Sequence, residues 1–453
     1  MTDLDHDHRT TRGDFVHQPV TSPSSPRPER YPQPPVGSVA GFLAGVVGAD
    51  TPVAFECYDG SRLGPVGAEA TVLVNSVNAI RRLVTAPNDL GFGRAWVTAD
   101  LDVRGDLFTA LELRHAIAHK SLTAQQIASA VKLVGKDVFK PLALPPEEAK
   151  LKGRIHGRKR DAQAISHHYD VSNAFYRLIL GPSLTYSCAV WEDGTATLED
   201  AQAAKHELIC RKLDLLPGMR LLDVGCGWGS MLIHAATHHG VKAVGITISA
   251  DQAEMARQRV VAAGLSDRVE IRLQDYRDVN DGPYDAISSI GMFEHVGLAR
   301  LGIYFSCLFN LLAPGGRLLN HGVSFPPIKP RLFERRSFVQ AYVFPDGEAH
   351  EVGTVISAMQ NAGFEARHME SLREHYALTL RHWVSNLELN WDAAVAEIGA
   401  RRARVWRLYM TGCVVGFEDG GNQVHQNLAV RPTAIGQSSM PRRPAWDRSL
   451  LRP

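Results

Sequence analysis

The sequence predicts an α/β protein in which a doubly wound, Rossmann-like sheet follows a smaller N-terminal α/β domain and a disordered N-terminal tail. From residue 208 onwards, short and nearly continuous apolar segments alternate with helical patterns, as is typical of a parallel sheet covered on both faces. The chain, at 453 residues, is also longer than one ordinary core allows. We therefore expect two folded units.

The N-terminal unit is predicted from alternating apolar and polar residues between glycines. This pattern indicates strands at 54–60, 70–74 and 96–103, and a helical stretch follows at 106–134. The apolar run at 39–49 is much shorter than the roughly 20 residues of a membrane-spanning helix. We therefore predict no membrane span.

The larger unit contains the predicted parallel sheet. Helices are expected to start near Ser230, Ala250 and Leu301 and to cover the sheet. Ligands of such sheets bind at the carboxyl ends of the strands. The strands are predicted at 220–224, 243–248, 269–273, 286–290 and 316–321.

Composition sets the predicted boundaries. The first segment is rich in histidine, proline and acidic residues and lacks the pattern of a secretory signal. The chain thus divides into a disordered tail, an N-terminal lipid-associated domain, a basic linker, the larger domain and a C-terminal tail, at 1–35, 36–144, 145–160, 161–430 and 431–453.

The linker has two interpretations. It is either a solvated hinge or a local basic patch for anionic lipid headgroups, where each cation near the surface contributes on the order of 1 kcal/mol. Its cations are Lys150, Lys152, Arg154, Arg158, Lys159 and Arg160.

Charge and cysteine usage exclude some classes of function. The net charge of +1 gives no global basic field, so we predict no nucleic-acid partner. The six cysteines include no C-x-x-C pair, so neither a metal site nor a disulfide framework is predicted. These features favour a cytoplasmic protein.

A glycine-rich loop follows the first strand of the larger unit. It has the pattern D-x-G-x-G-x-G at Asp223, Gly225, Gly227 and Gly229, where glycine permits a sharp turn and close approach of a ligand. Ser230 stands where a dinucleotide loop has its third glycine, and no acidic residue ends the next strand. A nicotinamide cofactor is disfavoured, which leaves a class I S-adenosylmethionine-dependent methyltransferase or another α/β nucleotide-binding fold.

Six further segments, in order along the chain, carry a more specific resemblance. They lie at 167–173, 184–189, 244–252, 290–297, 342–347 and 375–380. With the glycine loop they resemble the cyclopropane fatty acid synthase and mycolic acid methyltransferase family. The likeness covers residues 160 to about 430, and the N-terminal unit resembles the extra domain of the longer, phospholipid-acting members.

The resemblance implies a pocket for S-adenosyl-L-methionine. Taken without it, Gln252 would be an exposed helix residue and Tyr186 a core residue. The pocket residues it implies are Tyr186, Ser187, Asp223, Gly225, Gly227, Gly229, Thr247, Gln252, Asp275 and Tyr276.

The reaction that the resemblance implies is methyl transfer to the cis double bond of a phospholipid acyl chain. Attack of an alkene on the sulfonium methyl leaves a carbocation, so the site must exclude water and supply a base. In the family this base is a bound bicarbonate. The matching positions here are Cys188, Glu294, His321, Val323 and Tyr376.

Some of these residues have simpler interpretations. A buried cysteine, histidine or tyrosine is usually structural, whereas a buried carboxylate without a partner is costly. Glu294 and His321 also fall at predicted strand ends, which makes Glu294 the strongest candidate. Cys413 aligns with a family cysteine that has been considered catalytic. Direct transfer needs no covalent intermediate, so helix packing is the alternative.

We therefore predict an enzyme that gives a cyclopropane or a methylene-branched acyl chain from one common cation. A methyl-branched product would need a separate reductase. We expect peripheral association with the inner face of the membrane, and a homodimer is left open. The competing predictions are a methyltransferase for a soluble small molecule and a catalytically silent lipid-binding protein of the same fold.

Overall fold

The computed structural model describes residues 28–113, 122–169, 171–327, 336–444 and 446. Its N-terminal part contains a four-stranded sheet in the order β2-β1-β3-β4, in which β1 and β3 are parallel and the other pairs antiparallel. The strands are β1 (Ala54–Cys57), β2 (Arg62–Leu63), β3 (Ala70–Val74) and β4 (Leu101–Gly105). The helices are α1 (Val39–Val47), α2 (Val77–Thr85), α3 (Asp89–Val97), α4 (Leu107–Glu112) and α5 (Ala124–Val134), with a 3₁₀ turn at Lys136–Phe139.

The predicted strand at 96–103 is wrong at its start. Trp96 lies in the last turn of helix α3, which Asn88 caps by accepting a hydrogen bond from the backbone of Gly91. The strand begins only at Leu101, after Ala99 has turned the chain with φ of 58°. Alternation over a few residues did not separate the end of a helix from the start of a strand.

The larger part contains a seven-stranded sheet in the order β10-β11-β9-β8-β5-β6-β7. The strands are β5 (Arg220–Val224), β6 (Lys242–Thr247), β7 (Val269–Leu273), β8 (Tyr284–Ile290), β9 (Leu312–Ser324), β10 (Glu365–Ser371) and β11 (Gln423–Val430). All five predicted strands are present. The sheet is mixed rather than parallel, because β11 runs antiparallel to both β9 and β10.

Helices cover both faces of this sheet, as predicted for a doubly wound fold. One apolar cluster includes Leu232, Ala256 and Leu319, and the other includes Leu308, Leu318 and Met359. The helices are α6 (Arg158–Tyr169), α7 (Asn173–Leu180), α8 (Leu198–Leu213), α9 (Ser230–His239), α10 (Ala250–Ala262), α11 (Leu301–Leu311), α12 (Phe338–Tyr342), α13 (Val352–Asn361), α14 (Arg373–Leu389), α15 (Trp391–Ile398) and α16 (Ala400–Glu418). Short 3₁₀ turns lie at Tyr276–Asp278, Phe293–His295 and Leu298–Arg300.

Trp96 joins the N-terminal part to helix α16. Its side chain is fully buried, and its indole N–H donates to the carbonyl of Arg404 at 2.8 Å. The Arg404 guanidinium lies 4.2 Å from the ring centroid and donates to the Trp96 carbonyl at 2.7 Å. The two parts therefore share a buried contact.

The predicted linker contacts the larger part through two ion pairs. Arg158 pairs with Asp278 and Arg160 pairs with Asp346, both at 2.7 Å. Arg158 and Arg160 both lie in the first turn of helix α6, so neither stands in a free hinge. Two of the six predicted cations are thus neutralised within the protein.

The predicted tails lie partly outside the described residues, namely 1–27 and 447–453. At the N-terminal end, the backbone of Tyr31 donates to Gly64 at 3.0 Å. At the C-terminal end, Trp446 accepts a hydrogen bond from Arg211 at 3.0 Å. Among the described residues, we find no helix with the length and apolar composition needed to cross a bilayer.

Candidate active site

A cavity opens at the carboxyl ends of β5, β6 and β8, where this sheet changes its strand order. The glycine loop after β5 forms one wall. Backbone N–H groups of Gly225 and Cys226 both donate to the carbonyl of Ile246, which fixes the loop against β6. Trp228 continues the loop and donates its indole N–H to Asn173 at 2.7 Å. The predicted segment at 167–173 thus supports the loop directly.

Nine of the ten predicted cofactor residues line this cavity: Tyr186, Ser187, Asp223, Gly225, Gly227, Thr247, Gln252, Asp275 and Tyr276. Gly229 does not. It precedes α9 with φ of 80°, and a Cβ there would lie 3.5 Å from Ala256. Its function in the loop is to turn the chain rather than to face the cavity.

Two of these side chains hold each other in place. The hydroxyl of Thr247 donates to Oε1 of Gln252 at 2.8 Å, and both side chains are buried. Gln252 is therefore not an exposed helix residue. On the opposite wall, Asp275 accepts two hydrogen bonds from the guanidinium of Arg277, which also contacts Asp161 at 3.2 Å.

Asp223 lies at the base of the cavity. Burial raises the pKa of its carboxyl to about 6, although the hydroxyl of Ser288 donates to it at 2.7 Å and opposes the shift. Lys205 stands nearby in the same wall and donates to the hydroxyl of Ser187 at 3.1 Å. Sequence analysis missed Lys205. The available signal was its spacing of four from Ala201 and Ile209, which places a lysine on the buried stripe of α8.

The five residues implied for bicarbonate come from four distant segments. Oε1 of Glu294 accepts a hydrogen bond from the backbone N–H of Val323 at 2.7 Å. Burial raises the pKa of the Tyr376 phenol well above its ordinary value, and negative charge on Cys188 or Glu294 would raise that pKa further. Val323 thus contributes its backbone N–H.

Several polar atoms of this cluster are buried without a hydrogen-bond partner among the described residues. They are Oε2 of Glu294 and both ring nitrogens of His321. Buried polar atoms are rarely left unpaired. A small anion with one O–H matches these atoms, because the carboxylate can accept from it while the imidazole N–H can donate to it. The donor set therefore fits bicarbonate.

Cys188 and Cys413 are held differently. Cys188 is fully buried, and its thiol lies 3.6 Å from the carbonyl of Leu372. Cys413 lies on α16, half-buried, and interacts electrostatically with Tyr376 and Tyr409. Neither cysteine lines the described cavity. Burial raises the pKa of the Cys188 thiol well above its ordinary value, which disfavours a thiolate nucleophile.

Aromatic rings surround Tyr186 at the cavity wall. His168 stacks on it with 5.5 Å between ring centroids, and Trp383 lies at 5.3 Å. Tyr176 and Tyr169 lie at 5.7 and 6.2 Å. Such ring faces exclude water and attract cations.

One cluster outside the cavity was not anticipated. Ligand atoms of Cys210, His234 and His239 lie within 4.8 Å of one another. Glu207 already bonds both imidazoles, at 3.3 and 3.0 Å. Hydrogen bonds to Glu207 therefore account for the two histidines of this cluster. The sequence did not indicate the cluster because its residues lie far apart along the chain.

The unusual carboxyl of Glu294 gives a pH-dependent stability. Burial raises its pKa from 4.5 to about 7, opposed by hydrogen bonds from Val323 and its own backbone. The folded state therefore binds this proton more tightly, so the contribution is present below pH 4.5 and is lost as pH rises through 7. The total stability lost over this pH range is roughly 3 kcal/mol. Urea unfolding of the ligand-free protein at pH 5 and pH 8 should show a larger loss of stability than in Glu294→Gln. Equal losses would contradict the shift.

The sheet order, the glycine loop and the Thr247–Gln252 pair define a class I S-adenosylmethionine-dependent methyltransferase. The family model described as mycolic acid cyclopropane synthetase matches residues 156–427, and the chain belongs to that family. It is an enzyme of the cyclopropane-fatty-acyl-phospholipid synthase type.

Several relatives support this membership. A probable fatty acid methyltransferase of Mycobacterium tuberculosis is 43% identical over 406 residues, which cover 87% of this chain and 95% of the relative. The cyclopropane-fatty-acyl-phospholipid synthase of Escherichia coli is 35% identical over 62% of this chain and 71% of its own length. Among solved structures, the cyclopropane synthase MmaA2 of Mycobacterium tuberculosis gives a TM-score of 0.57 at 33% identity, over 61% of this chain and 99% of that one. The cyclopropane synthase CmaA1, complexed with S-adenosylhomocysteine and CTAB, gives 0.56 at 35% identity, over 59% and 97%.

Proposed function

We propose that this protein transfers the methyl group of S-adenosylmethionine to the cis double bond of an unsaturated phospholipid acyl chain through a carbocation. The observation that carries this proposal is the buried cluster beside the cofactor cavity, with the unpaired Oε2 of Glu294 and the unpaired ring nitrogens of His321. An amine or alcohol that takes the methyl group can release its proton to solvent. The carbocation formed from an alkene would be captured by water, so it needs a base inside a site that excludes water.

The proposed reaction has two steps, methyl transfer and loss of a proton. The alkene electron pair forms a bond to the methyl carbon while the carbon–sulfur bond breaks and leaves its pair on sulfur, giving S-adenosylhomocysteine. Bicarbonate, when bound, supplies the base that accepts one proton from the resulting cation. Loss of a proton from the added methyl with ring closure gives a cyclopropane, and a preceding hydride shift gives a methylene branch. A methyl-branched chain would require a separate reductase.

The chain's own residues have distinct tasks in this proposal. Tyr186, Ser187, Asp223, Thr247, Gln252, Asp275 and Tyr276 hold the cofactor with the turn at Gly225, Gly227 and Gly229. Glu294, His321, Tyr376 and Cys188 hold the anion, and the Val323 backbone holds Glu294. The backbone bond from Val323 keeps one carboxylate oxygen of Glu294 fixed. The other oxygen remains able to accept a proton or a hydrogen bond.

Water exclusion follows from the aromatic wall. The ring of Tyr186 contacts those of His168 and Trp383. A ring-lined wall that excludes water protects a carbocation from capture and stabilises its charge through ring faces. Cys413 serves helix packing near Tyr376 in this proposal.

The phospholipid surface is proposed to contact the N-terminal domain (36–144) and the linker (145–160), ahead of the methyltransferase domain (161–430). Lys150, Lys152, Arg154 and Lys159 are exposed there. Leu144 and Ile155 are 50% and 54% exposed beside them. Cations interspersed with exposed apolar side chains suit peripheral binding to an anionic, cytoplasmic membrane face.

Purified protein and labelled S-adenosylmethionine test the substrate class. Vesicles of dioleoyl phosphatidylglycerol should become labelled, while distearoyl vesicles, which lack the double bond, should not. Free oleic acid should be labelled at least tenfold more slowly, because the membrane contact is lost. Labelling of a soluble small molecule without labelling of vesicles would contradict the proposal, and so would the absence of all transfer.

A further inference from the structure

Lys205 is a buried cation that the proposed reaction does not yet use. It lies on α8 in the cavity wall, and its side chain is 1% exposed. One of its three N–H donors is used by the hydroxyl of Ser187 at 3.1 Å. Among the described residues, no carboxylate lies within 4.0 Å of its ammonium. Asp223 attracts its charge from beyond ion-pair distance. A buried charge without a directly paired counter-ion is costly, which points to a ligand of opposite charge.

Two contacts place Lys205. It lines the cofactor cavity together with Asp223, and its ammonium donates to Ser187, the chain neighbour of Cys188. Its charge favours the ionised forms of Asp223 and Cys188 and, like that of Lys212, disfavours the protonated form of His321. Lys205 therefore lies between the cofactor cavity and Cys188 of the cluster around Glu294.

That cluster lacks a positive charge of its own. Burial lowers the pKa of His321 well below its usual value, so its ring is neutral at pH 7. Glu294, Tyr376 and Cys188 are either neutral or negative. An anion placed among them would be repelled by ionised Glu294 and would lose its hydration. Burial lowers the pKa of Lys205 to about 8, which leaves it charged at pH 7.

We propose that Lys205 is a positioning residue whose ammonium is the counter-charge for the carboxylate-type anion that the Glu294 cluster binds. The inference rests on the proposed function, since bicarbonate is the anion proposed there. A second source of the same chemistry is the amino-acid carboxylate of the cofactor. Separate measurements of the bicarbonate response and of S-adenosylhomocysteine binding distinguish these two sources.

Lys212 offers a matched control. It lies two turns further along the same stripe of α8 and is as deeply buried as Lys205. Its ammonium is bonded to Gln426 at 2.7 Å and forms an ion pair with Glu370. Its charge is therefore already balanced within the protein.

The experiment compares the parent protein with Lys205→Met, Lys205→Arg and Lys212→Met in buffers depleted of carbon dioxide. The first readout is the bicarbonate concentration that gives half of the maximal rate. The second is the rise in Tm that added bicarbonate produces in the presence of S-adenosylhomocysteine, which requires no turnover. The third is the Kd of S-adenosylhomocysteine by calorimetry.

We expect Lys205→Met to raise the half-maximal bicarbonate concentration at least tenfold and to abolish the bicarbonate-induced rise in Tm. The Kd of S-adenosylhomocysteine should stay within threefold of the parent value. Lys205→Arg should recover part of both responses because it keeps the charge, and Lys212→Met should respond to bicarbonate like the parent.

Two results would overturn the inference while leaving the proposed function in place. One is a parental bicarbonate response in Lys205→Met. The other is a large increase in the Kd of S-adenosylhomocysteine with an unchanged bicarbonate requirement, which would assign Lys205 to the cofactor carboxylate. A parent protein whose rate and Tm ignore bicarbonate would instead overturn both.

Discussion

Glu294→Gln is expected to lower kcat by about 10²- to 10⁴-fold, the usual contribution of a positioned acid–base group. The amide keeps an oxygen that can accept from the backbone N–H of Val323, a contact of 2.7 Å in the parent. Packing around the side chain is therefore retained. What is lost is the ability of the second oxygen, buried and unpaired, to accept a proton or a strong hydrogen bond.

Glu374→Gln provides the control for this substitution. Its side chain is 69% exposed on α14, where it pairs with Arg373, two residues before Tyr376. It should turn over like the parent. S-adenosylhomocysteine should bind Glu294→Gln within threefold of the parent affinity, as measured by calorimetry. If Glu294→Gln bound the cofactor product and turned over like the parent, the assignment of the anion site would be wrong.

Gly225→Val is expected to weaken binding of S-adenosylhomocysteine by about 10²-fold or more. Gly225 has φ of 81°, a conformation that β-branched residues rarely adopt. A Cβ there would lie 3.3 Å from the sulfur of Met292, and the residue lines the cofactor cavity. The substituted loop must therefore move away from the position that admits the ligand.

Gly264→Val is the control that separates the effect of backbone strain on stability from the loss of affinity for S-adenosylhomocysteine. Gly264 has φ of 67° in the turn after α10, and no atom lies within 4 Å of a Cβ built on it. It does not line the described cavity. Both variants should lose Tm, but only Gly225→Val should lose affinity in calorimetry. Parental affinity in Gly225→Val would show that the loop does not bind the cofactor.

The sequence predicted those strands whose apolar pattern reflects their burial. Strands β5, β6, β8 and β9 were found because both of their faces are largely buried and their residues are largely apolar. Strand β11 was missed because its buried residues include His425, Gln426 and Asn427, which a hydropathy pattern assigns to a surface. The antiparallel strand that makes the sheet mixed was hidden for this reason.

The candidate site was predictable in unequal parts. The glycine loop has local spacing that follows from backbone geometry, so residues alone indicated a cofactor class. The proposed cluster around Glu294 draws on four distant segments, and only the family resemblance grouped Cys188, His321 and Tyr376 with Glu294. Lys205 was overlooked because a lysine in a helix is usually solvated. Its burial became evident only from the packing of α8 against the sheet.

The most direct test of the central claim uses S-adenosylmethionine with a trideuterated methyl group and vesicles of dioleoyl phosphatidylglycerol. The proposed mechanism predicts acyl chains that gain one carbon carrying two deuterons, with the third released as a deuteron, because the base removes it from the added methyl. Mass spectrometry counts the deuterons, and proton NMR distinguishes a ring from a methylene branch. Acyl chains that retain all three deuterons, or that gain no carbon, would contradict methyl transfer to the alkene followed by loss of a proton from that methyl.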